Sequence, residues 1–215
     1  MPIRRIDDHT EVTGFPTEAD FLLAASVTYT CTIEGITQTG HPGIIPLTPT
    51  LDAELITAGS VFSLPKMISV SHGTPTPALL TRAAQKLKPF STLKILNLGL
   101  ETPPKYCGVL DFHITPSPAI TSSQYLKSRE LFFKGMAAAR VYTPKSGTLI
   151  LGESIPSGTT TAYAALKALG YACEGLFSSS FKTSPDALKE QSIQAALQRI
   201  EPTMDNFEKL ALSAD

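Results

Sequence analysis

The stretch that decides the fold is "LILGESIPSGTTTAYAALKALG", residues 149–170. It opens with a short apolar run typical of a buried strand, crosses a loop, and continues in a helical pattern that Gly170 closes. The sequence therefore predicts a strand-loop-helix unit. A plain connection does not need two glycines and three consecutive threonines, so their presence points to a ligand.

Apolar runs and helical patterns alternate along the rest of the chain. Further strands are predicted over residues 20–28, 67–73 and 93–100, and further helices over residues 51–59, 76–87, 124–142, 184–199 and 202–212. Continuous apolar strands that alternate with helices favour a parallel sheet covered on both faces. The predicted fold class is therefore α/β, with a mostly parallel sheet in three layers, as a single domain over residues 1–215.

Local signals support the helix after the second predicted strand. Thr76 is expected to cap it, with Pro77 at its first position, where a missing N–H has no consequence. Leu79, Leu80 and Leu87 then belong to an apolar stripe with helical spacing, which predicts a face turned to the core. Residues 101–119 are rich in proline and are predicted to be irregular.

Composition excludes several classes of protein. The chain has 42% hydrophobic residues and a net charge of −1, which is a globular profile without the basic surface of a nucleic-acid binder. The three cysteines are far apart and form no CxxC pair, so neither a disulfide framework nor a zinc site is expected. No signal peptide and no membrane span are predicted, and a reducing, cytoplasmic setting fits best.

Small and polar residues follow three of the four predicted strands. These are residues 71–73 (Ser-His-Gly), 97–99 (Asn-Leu-Gly) and 152–154 (Gly-Glu-Ser). In open α/β sheets, ligands bind beyond the carboxyl ends of the strands. The sequence therefore predicts a site at this edge of the sheet.

The loop between Gly152 and the threonines has the chemistry of an anion site. Gly152 and Gly158 allow positive φ and close approach of a ligand, and a helix N-terminus offers free N–H groups beside the hydroxyls of Thr159 and Thr160. The spacing fits neither GxxxxGK[ST] nor GxGxxG, which disfavours ATP hydrolysis and dinucleotide binding. Helix capping remains an alternative role for the threonines, and Glu153 could brace the loop, hold a ribose hydroxyl or orient a cation.

The segment "GESIPSGTTTAYAALKALG" resembles the corresponding turn of the nicotinate-nucleotide:dimethylbenzimidazole phosphoribosyltransferase family, and more narrowly its archaeal and cyanobacterial branch. Four other segments are similar to that branch and occur in the expected order: "TCTIEGITQTGHPG", "LTPTLDAELITAG", "GTPTPALLTRA" and "SSSFKTSPDALKEQSIQAAL". Together the matches span about residues 30–200.

This resemblance implies a Rossmann-like α/β domain with a small helical part, usually in a homodimer. It implies transfer of phosphoribose from nicotinate mononucleotide to an aromatic base in cobalamin lower-ligand assembly, with small-molecule substrates and neither a cofactor nor a metal. Phosphate and ribose are expected at the loop and at a lysine of the following helix; the predicted set is Gly152, Glu153, Gly158, Thr159, Thr160 and Lys189. Lys182 is a second choice for that lysine, and Lys189 could instead be a solvated helix residue.

The chain departs from the family in two places. Ser157 stands where the family has its second loop glycine, and the C-terminal segment that carries the family's catalytic glutamate has no counterpart in these 215 residues. We therefore expect a chain that is truncated relative to the family, with an unknown catalytic residue. Whether it is an enzyme by itself stays open; the alternatives are a non-catalytic module that binds nucleotide or phosphate and an inactive fragment that needs the missing C-terminal half.

Other residues could supply acid–base chemistry. Glu34 lies in the segment near which the family holds its aromatic base, so it is a candidate for contacting the acceptor. Asp52 and Asp111 are further carboxylates, although Asp52 is better suited to capping or tethering its helix. His72 follows a predicted strand, where a histidine more commonly caps loop backbone than catalyses.

Overall fold

A computed structural model describes residues 17–64, 76–122, 126–177, 181 and 183–214. Four strands and six α-helices lie within these residues. In chain order they are β1 (Asp20–Ala25), α1 (Thr48–Ala58), α2 (Ala78–Leu87), β2 (Thr92–Asn97), β3 (Val109–Asp111), α3 (Ser128–Val141), β4 (Leu149–Ser154), α4 (Gly158–Ala168), α5 (Asp186–Leu197) and α6 (Asn206–Ser213). Two 3-10 helices, Tyr29–Thr32 and Ile45–Leu47, connect β1 to α1. The strand predicted over residues 67–73 falls outside the described residues.

The strands form one sheet in the order β3-β2-β1-β4, and each neighbouring pair is parallel. The predicted α/β class with a parallel sheet is therefore confirmed. β1 lies inside the sheet, and the side chains of Phe21, Leu22 and Leu23 are buried there. This burial explains why the strand reads as a continuous apolar run, since a strand covered on both faces has no polar side.

Two apolar clusters hold the described elements together. The first joins β1 and β2 to α1 through Phe21, Leu23, Ile95, Ala53 and Ile56. The second joins α4 to α5 and contains Ile120, Ala164, Ile193 and Ala196. The second cluster fixes α5 beside α4. Lys189 of α5 is therefore held near the helix that follows the threonine loop.

Capping residues act largely as predicted. Gly59 follows α1 with φ +80°, the left-handed conformation that a glycine C-cap adopts. The hydroxyl of Thr76 accepts a 3.3 Å hydrogen bond from the N–H of Ala78, as expected for a cap of α2. Pro77 lies one position before the first residue of that helix rather than within it.

The predicted core face of α2 is wrong, and α3 is also exposed. Leu79, Leu80 and Leu87 of α2 are exposed, although Ala78 beside them is buried. In α3, none of the helix residues is buried, and Phe132 is about half exposed. α3 packs mainly along α6, where Phe207 contacts the rings of Phe132 and Phe133, rather than across the described sheet, so its apolar side chains are only partly covered.

β3 and β4 also differ from the predictions. β3 is a short strand inside the region predicted to be irregular, where it adds to the outer side of β2. The sequence predicts a buried β4, yet β4 is an edge strand whose Leu149, Ile150 and Leu151 are exposed. An apolar run alone does not tell an inner strand from an edge strand, because both can carry the same residues.

The connection into β4 is held by Asp20, the first residue of β1. This buried carboxylate accepts a 2.6 Å hydrogen bond from the N–H of Lys145 and a 3.4 Å hydrogen bond from the hydroxyl of Tyr142. Both donors lie between α3 and β4, so the carboxylate fixes where β4 begins. Among the described helices, none has the length and apolarity needed to cross a membrane.

Candidate functional site

The ends of β2 and β4 lie on either side of the end of β1. Ala25, the last residue of β1, pairs with Asn97 of β2 and with Ser154 of β4. The predicted meeting of residues 97–99 and 152–154 at one edge is therefore confirmed. The third predicted strand end, residues 71–73 with His72, lies outside the described residues.

At this edge, Asn97 stabilises the turn after its own strand. Its side-chain oxygen accepts hydrogen bonds from the N–H groups of Gly99 (3.2 Å) and Leu100 (2.9 Å), and its amide nitrogen donates to Asp111 at 3.3 Å. Asp111 also accepts a 2.7 Å hydrogen bond from the N–H of His113. These partners give Asn97 and Asp111 a structural role at the ends of β2 and β3.

Glycine serves a different purpose in the β4–α4 loop than predicted. Neither Gly152 nor Gly158 has a positive φ; the left-handed residue is Ser157, with φ +67°. Gly152 lies within β4, where an added Cβ would approach the ring of Phe21 to 2.8 Å. The glycine at 152 is therefore explained by close packing, and the backbone freedom expected of a glycine is needed at 157.

The N-terminus of α4 has unused hydrogen-bonding groups. The N–H groups of Gly158 and Thr160 donate to carbonyls of the preceding turn at 3.1 and 2.9 Å, whereas that of Thr159 has no acceptor among the described residues. The hydroxyls of Ser157 and Thr160 are buried and have no hydrogen-bond partner among the described residues. A buried hydroxyl without a partner costs about 1–3 kcal/mol, so each of these two groups would gain from a polar partner such as a ligand or water.

Threonine capping accounts for only part of the loop. The hydroxyl of Thr161 donates a 3.0 Å hydrogen bond to the carbonyl of Gly158, and the residue at the N-cap position, Ser157, makes no side-chain cap. The alternative role considered for the threonines therefore does not explain Thr159 or Thr160.

A cavity of about 560 Å³ opens between α4 and α5. Its lining includes Thr159 and Tyr163 of α4, Phe177 of the following loop, and Ser184, Lys189 and Glu190 at or near the start of α5. The structure thus brings together two residues of the predicted phosphate set, Thr159 and Lys189, that are 30 positions apart in the chain. This volume is in the range of pockets that bind small molecules, about 300–1,000 Å³.

The walls of the cavity are organised by an aromatic pair and an ion pair. The rings of Tyr163 and Phe177 stack with centroids 5.1 Å apart, and Lys167 lies over the Tyr163 ring. Lys167 also pairs with Glu190 at 3.3 Å. Burial opposes the charge of Lys167, but the hydrogen bond and charge of Glu190 raise the pKa of that lysine. A hydrogen bond from Gln194, joined by Lys167, lowers the pKa of Glu190.

Two other predicted residues, Glu153 and Glu34, do not line the cavity. Glu153 is exposed near the end of β4 and makes no hydrogen bond to a described residue. Glu34 is exposed in the loop after the first 3-10 helix and is not among the residues that line the cavity. The adjoining Gly35 faces α5, because a Cβ built there would lie 3.7 Å from Leu188. Lys182 lies outside the described residues.

One interpretation of the sequence expected Asp52 to cap its helix, but the structure shows no such cap. It lies within α1, and its two carboxylate oxygens accept hydrogen bonds from the hydroxyls of Thr76 (2.8 Å) and Ser154 (2.7 Å). Burial raises the pKa of Asp52, although both hydrogen bonds oppose that shift. Asp52 therefore tethers its helix, α1, to the end of β4 and to the start of α2, as the second of the two expected roles predicts.

Sequence reasoning missed three features. The aromatic wall could have been found, since Tyr163 lies four positions after Thr159 and therefore on the same helical face. The only sequence signal at Ser157 is that the family it resembles has a glycine at that position. Glu54 gave no signal, because nothing in the local sequence indicates that its carboxylate is buried and accepts hydrogen bonds from the loop after α1 and from the segment between β2 and β3.

No known family profile matches the chain. Similar curated proteins include UPF0284 proteins of Archaeoglobus fulgidus, Halobacterium salinarum and Thermoplasma acidophilum, at 37%, 35% and 33% identity. The alignments cover 92%, 82% and 83% of this chain but 58%, 52% and 52% of the relatives. The chain thus spans about half the length of the curated relatives it matches, and their name states no activity.

Two solved structures from Thermus thermophilus share the fold, one named CobT and one named as a nicotinate-nucleotide-dimethylbenzimidazole phosphoribosyltransferase. Their TM-scores are 0.64 and 0.61 at 18% identity, over 92% of this chain and 54% and 53% of theirs. The fold is therefore that of CobT, and the resemblance predicted from the sequence is confirmed. The chain is a homologue of the UPF0284 proteins with the CobT fold.

Proposed function

We propose that the chain is a phosphoribosyltransferase-like protein that binds nicotinate mononucleotide. Its phosphoribose would pass to an aromatic, dimethylbenzimidazole-like base in cobalamin lower-ligand assembly. The observation that carries the proposal is the cavity between α4 and α5, because Thr159 at a helix N-terminus and Lys189 line it together. The fold shared with the two solved structures supports the same proposal.

The phosphate end of the ligand is assigned to the start of α4. The free N–H of Thr159 lies at the positive end of the helix dipole, next to the unpartnered hydroxyls of Ser157 and Thr160. The ammonium of Lys189 would supply the opposing charge. Gly158 begins the helix, and a Cβ there would lie 3.3 Å from the Cβ of Ile155, so the glycine lets the loop pack closely against the helix start.

Ribose and the aromatic rings are assigned to residues around the start of α4. Gly152 and Glu153 lead into the loop, and the exposed carboxylate of Glu153 would accept hydrogen bonds from ribose hydroxyls. The stacked rings of Tyr163 and Phe177 give one cavity wall an apolar, planar surface. Glu34 would contact the acceptor base from the loop that adjoins α5.

The proposed reaction is a displacement at the anomeric carbon of ribose. The bond between C1′ and the nicotinate nitrogen breaks, a bond between C1′ and an azole nitrogen forms, and the azole gives up its proton. No residue of this chain is assigned as the proton acceptor. A cytoplasmic homodimer built from one domain over residues 1–215 belongs to the same proposal.

A second candidate function is a non-catalytic module that binds nucleotide or phosphate. The observation that favours it is the α4 N-terminus itself, where the Thr159 N–H and the unpartnered Ser157 and Thr160 hydroxyls suit an anion but supply no carboxylate for proton transfer. Such a module would bind nicotinate mononucleotide without converting it.

Calorimetric titration with nicotinate mononucleotide tests the proposed site. Lys189→Ala should weaken binding at least about tenfold, since a charge-assisted hydrogen bond contributes about 1.5–3 kcal/mol. Glu153→Ala should weaken it by a smaller factor, and Lys88→Ala, at an exposed lysine beyond α2, should bind as the wild type does. Equal affinity in all four proteins would exclude the site. If the site binds nicotinate mononucleotide, dimethylbenzimidazole is added and free nicotinate is measured. Release of nicotinate would support the enzyme, and binding without release would support the non-catalytic module.

A further inference from the structure

The cavity between α4 and α5 carries charges of both signs on its α5 side. Lys189, Asp186 and Glu190 all line it, and the proposed function uses only the lysine. Asp186 and Glu190 are four positions apart in the same helix, so they lie on one face of α5, about 6 Å apart along its axis. Two carboxylates repel a phosphate, so they suit a different, positively charged part of the ligand.

Glu190 keeps one carboxylate oxygen available to a ligand. Lys167 and Gln194 both donate to its Oε1, at 3.3 and 2.6 Å, and no described residue donates a hydrogen bond to its Oε2. The hydrogen bond from Gln194, joined by Lys167, lowers the pKa of Glu190 and so favours the charged carboxylate. Because the side chain is 43% exposed and lines the cavity, Oε2 can accept a partner from a bound molecule.

An aromatic pair forms another part of the cavity wall. Tyr163 and Phe177 both line the cavity, with ring centroids 5.1 Å apart and ring planes inclined by 29°. Tyr163 lies about one helical turn after Thr159, which marks the proposed phosphate site. The faces of aromatic rings attract cations, and the ammonium of Lys167 already lies 5.1 Å from the centroid of the Tyr163 ring. Aromatic rings next to a carboxylate thus suit a flat organic cation.

Nicotinate mononucleotide contains such a cation. Its pyridine nitrogen is bonded to C1′ of ribose and therefore carries a positive charge, whereas the base of a nucleotide such as uridine 5′-monophosphate is uncharged. We propose that Tyr163, Phe177 and Glu190 form a subsite for an N-ribosyl pyridinium ring, with Oε2 of Glu190 facing its positive charge. The inference rests on the proposed function, because it takes the phosphate end of the ligand to be at Thr159 and Lys189.

Lys167 supplies a positive charge next to this subsite. Its ion pair with Glu190 spans 3.3 Å, and its side chain is only 21% exposed, so the pair joins α4 to α5 beside the cavity. The nicotinate ring also bears a carboxylate group, and the Lys167 ammonium would supply the opposite charge for it. An ion pair therefore suits a ring that bears both charges.

Calorimetric titration of the full chain with three probes separates the ring from the phosphate. Nicotinate mononucleotide has a cationic ring, uridine 5′-monophosphate has an uncharged ring on the same ribose phosphate, and ribose 5-phosphate has no ring. We expect nicotinate mononucleotide to bind at least about fivefold more tightly than either of the other two probes, because only its ring is attracted by both the aromatic faces and the carboxylate.

Glu190→Gln removes the charge of the side chain and keeps its size. This variant should bind nicotinate mononucleotide at least about fivefold more weakly, whereas ribose 5-phosphate should bind no more weakly than it does to the wild type. Phe177→Leu should act in the same direction, because it removes an aromatic ring from the wall. Glu130→Gln is the matched control, since Glu130 also pairs with a lysine, at 3.5 Å, but lies in α3 and does not line this cavity.

The outcomes separate this inference from the proposed function. If nicotinate mononucleotide and ribose 5-phosphate bind the wild type equally well, or if Glu190→Gln weakens both by the same factor, the ring subsite is excluded and the phosphate site remains. Uridine 5′-monophosphate that binds as tightly as nicotinate mononucleotide would show that the ring charge is not recognised, which also overturns the inference. If the wild type binds none of the three probes, the proposed function fails and the inference fails with it.

Discussion

The carboxylate of Asp52 accepts a 2.7 Å hydrogen bond from the hydroxyl of Ser154, the last residue of β4. Its other oxygen accepts a 2.8 Å hydrogen bond from Thr76, just before α2. One side chain of α1 thereby joins two elements that end or begin at the carboxyl edge of the sheet. The loop that leads to Ser157 and α4 starts from this tether.

Removal of the Asp52 carboxylate should loosen that edge. Asp52→Ala leaves two hydroxyls without their acceptor and should lower the free energy of unfolding by about 2 kcal/mol. Asp52→Asn retains one acceptor oxygen and should lower it by less. Urea denaturation at pH 7 measures both changes, with exposed Glu201→Ala as a control of unchanged stability. Wild-type stability in Asp52→Ala would show that the tether contributes nothing.

The pH dependence of the Asp52 contribution has a defined sign. Its pKa is raised by burial, so the folded protein binds this proton more tightly than the unfolded chain does. The associated stability is present below the unfolded pKa of about 4 and is lost as the pH rises through the folded value. Relative to Asp52→Asn, the wild type should therefore lose stability on going from pH 4 to neutral pH.

Glu54, two positions along α1, should show the opposite behaviour. Burial alone would raise its pKa, but hydrogen bonds from the N–H groups of Lys105, Phe62 and Ser63 and from the Ser63 hydroxyl outweigh burial and lower it. The resulting stability is present above the unfolded pKa of about 4.3 and is lost as the pH falls through the folded value.

Glu54→Gln tests this buried carboxylate. The amide group of glutamine would face N–H donors, so we expect a loss of about 3 kcal/mol at pH 7, measured by urea denaturation. The difference from the wild type should shrink in acid, where the wild-type carboxyl is protonated. Glu201→Gln, at an exposed position, serves as the control. A constant difference across the whole pH range would contradict the assigned hydrogen bonds.

Periodicity predicted the elements better than their surroundings. The β4–α4 unit, the end of α1 at Gly59 and the parallel sheet follow from local residue patterns. The exposure of β4 and of the α2 stripe could not be predicted, since it depends on which elements lie beside them. The site divides in the same way: the loop was visible in the sequence, whereas the role of Ser157 depends on a backbone angle.

A side chain at position 152 should destabilise the protein. A Cβ at this position would lie 2.8 Å from the Phe21 ring, so Gly152→Ala should lower the free energy of unfolding by about 1–3 kcal/mol. Gly135→Ala is the matched control, because Gly135 lies within α3 and its added Cβ would meet nothing within 4 Å. That variant should be stabilised by about 0.5–1 kcal/mol. Equal effects of the two substitutions, measured by thermal and urea unfolding, would refute the packing explanation.

Ser157 should be improved by glycine. Its φ of +67° is a conformation that strains residues with a Cβ, so Ser157→Gly should be about 1 kcal/mol more stable than Ser157→Ala. Both variants lack the hydroxyl, and the comparison therefore isolates the backbone. Denaturant unfolding measures the difference, and a more stable alanine variant would show that this backbone angle is not strained.

The proposed function depends above all on a phosphoribosyl ligand binding where α4 begins and α5 faces it. A titration of the isotopically labelled chain with nicotinate mononucleotide, followed by amide NMR, detects such binding residue by residue. We expect the largest shift changes at Thr159 and Thr160 with a second group around Lys189, and we expect Lys189→Ala to reduce them at equal ligand concentration. Shift changes confined to other parts of the chain, or changes unaffected by Lys189→Ala, would contradict the proposed site.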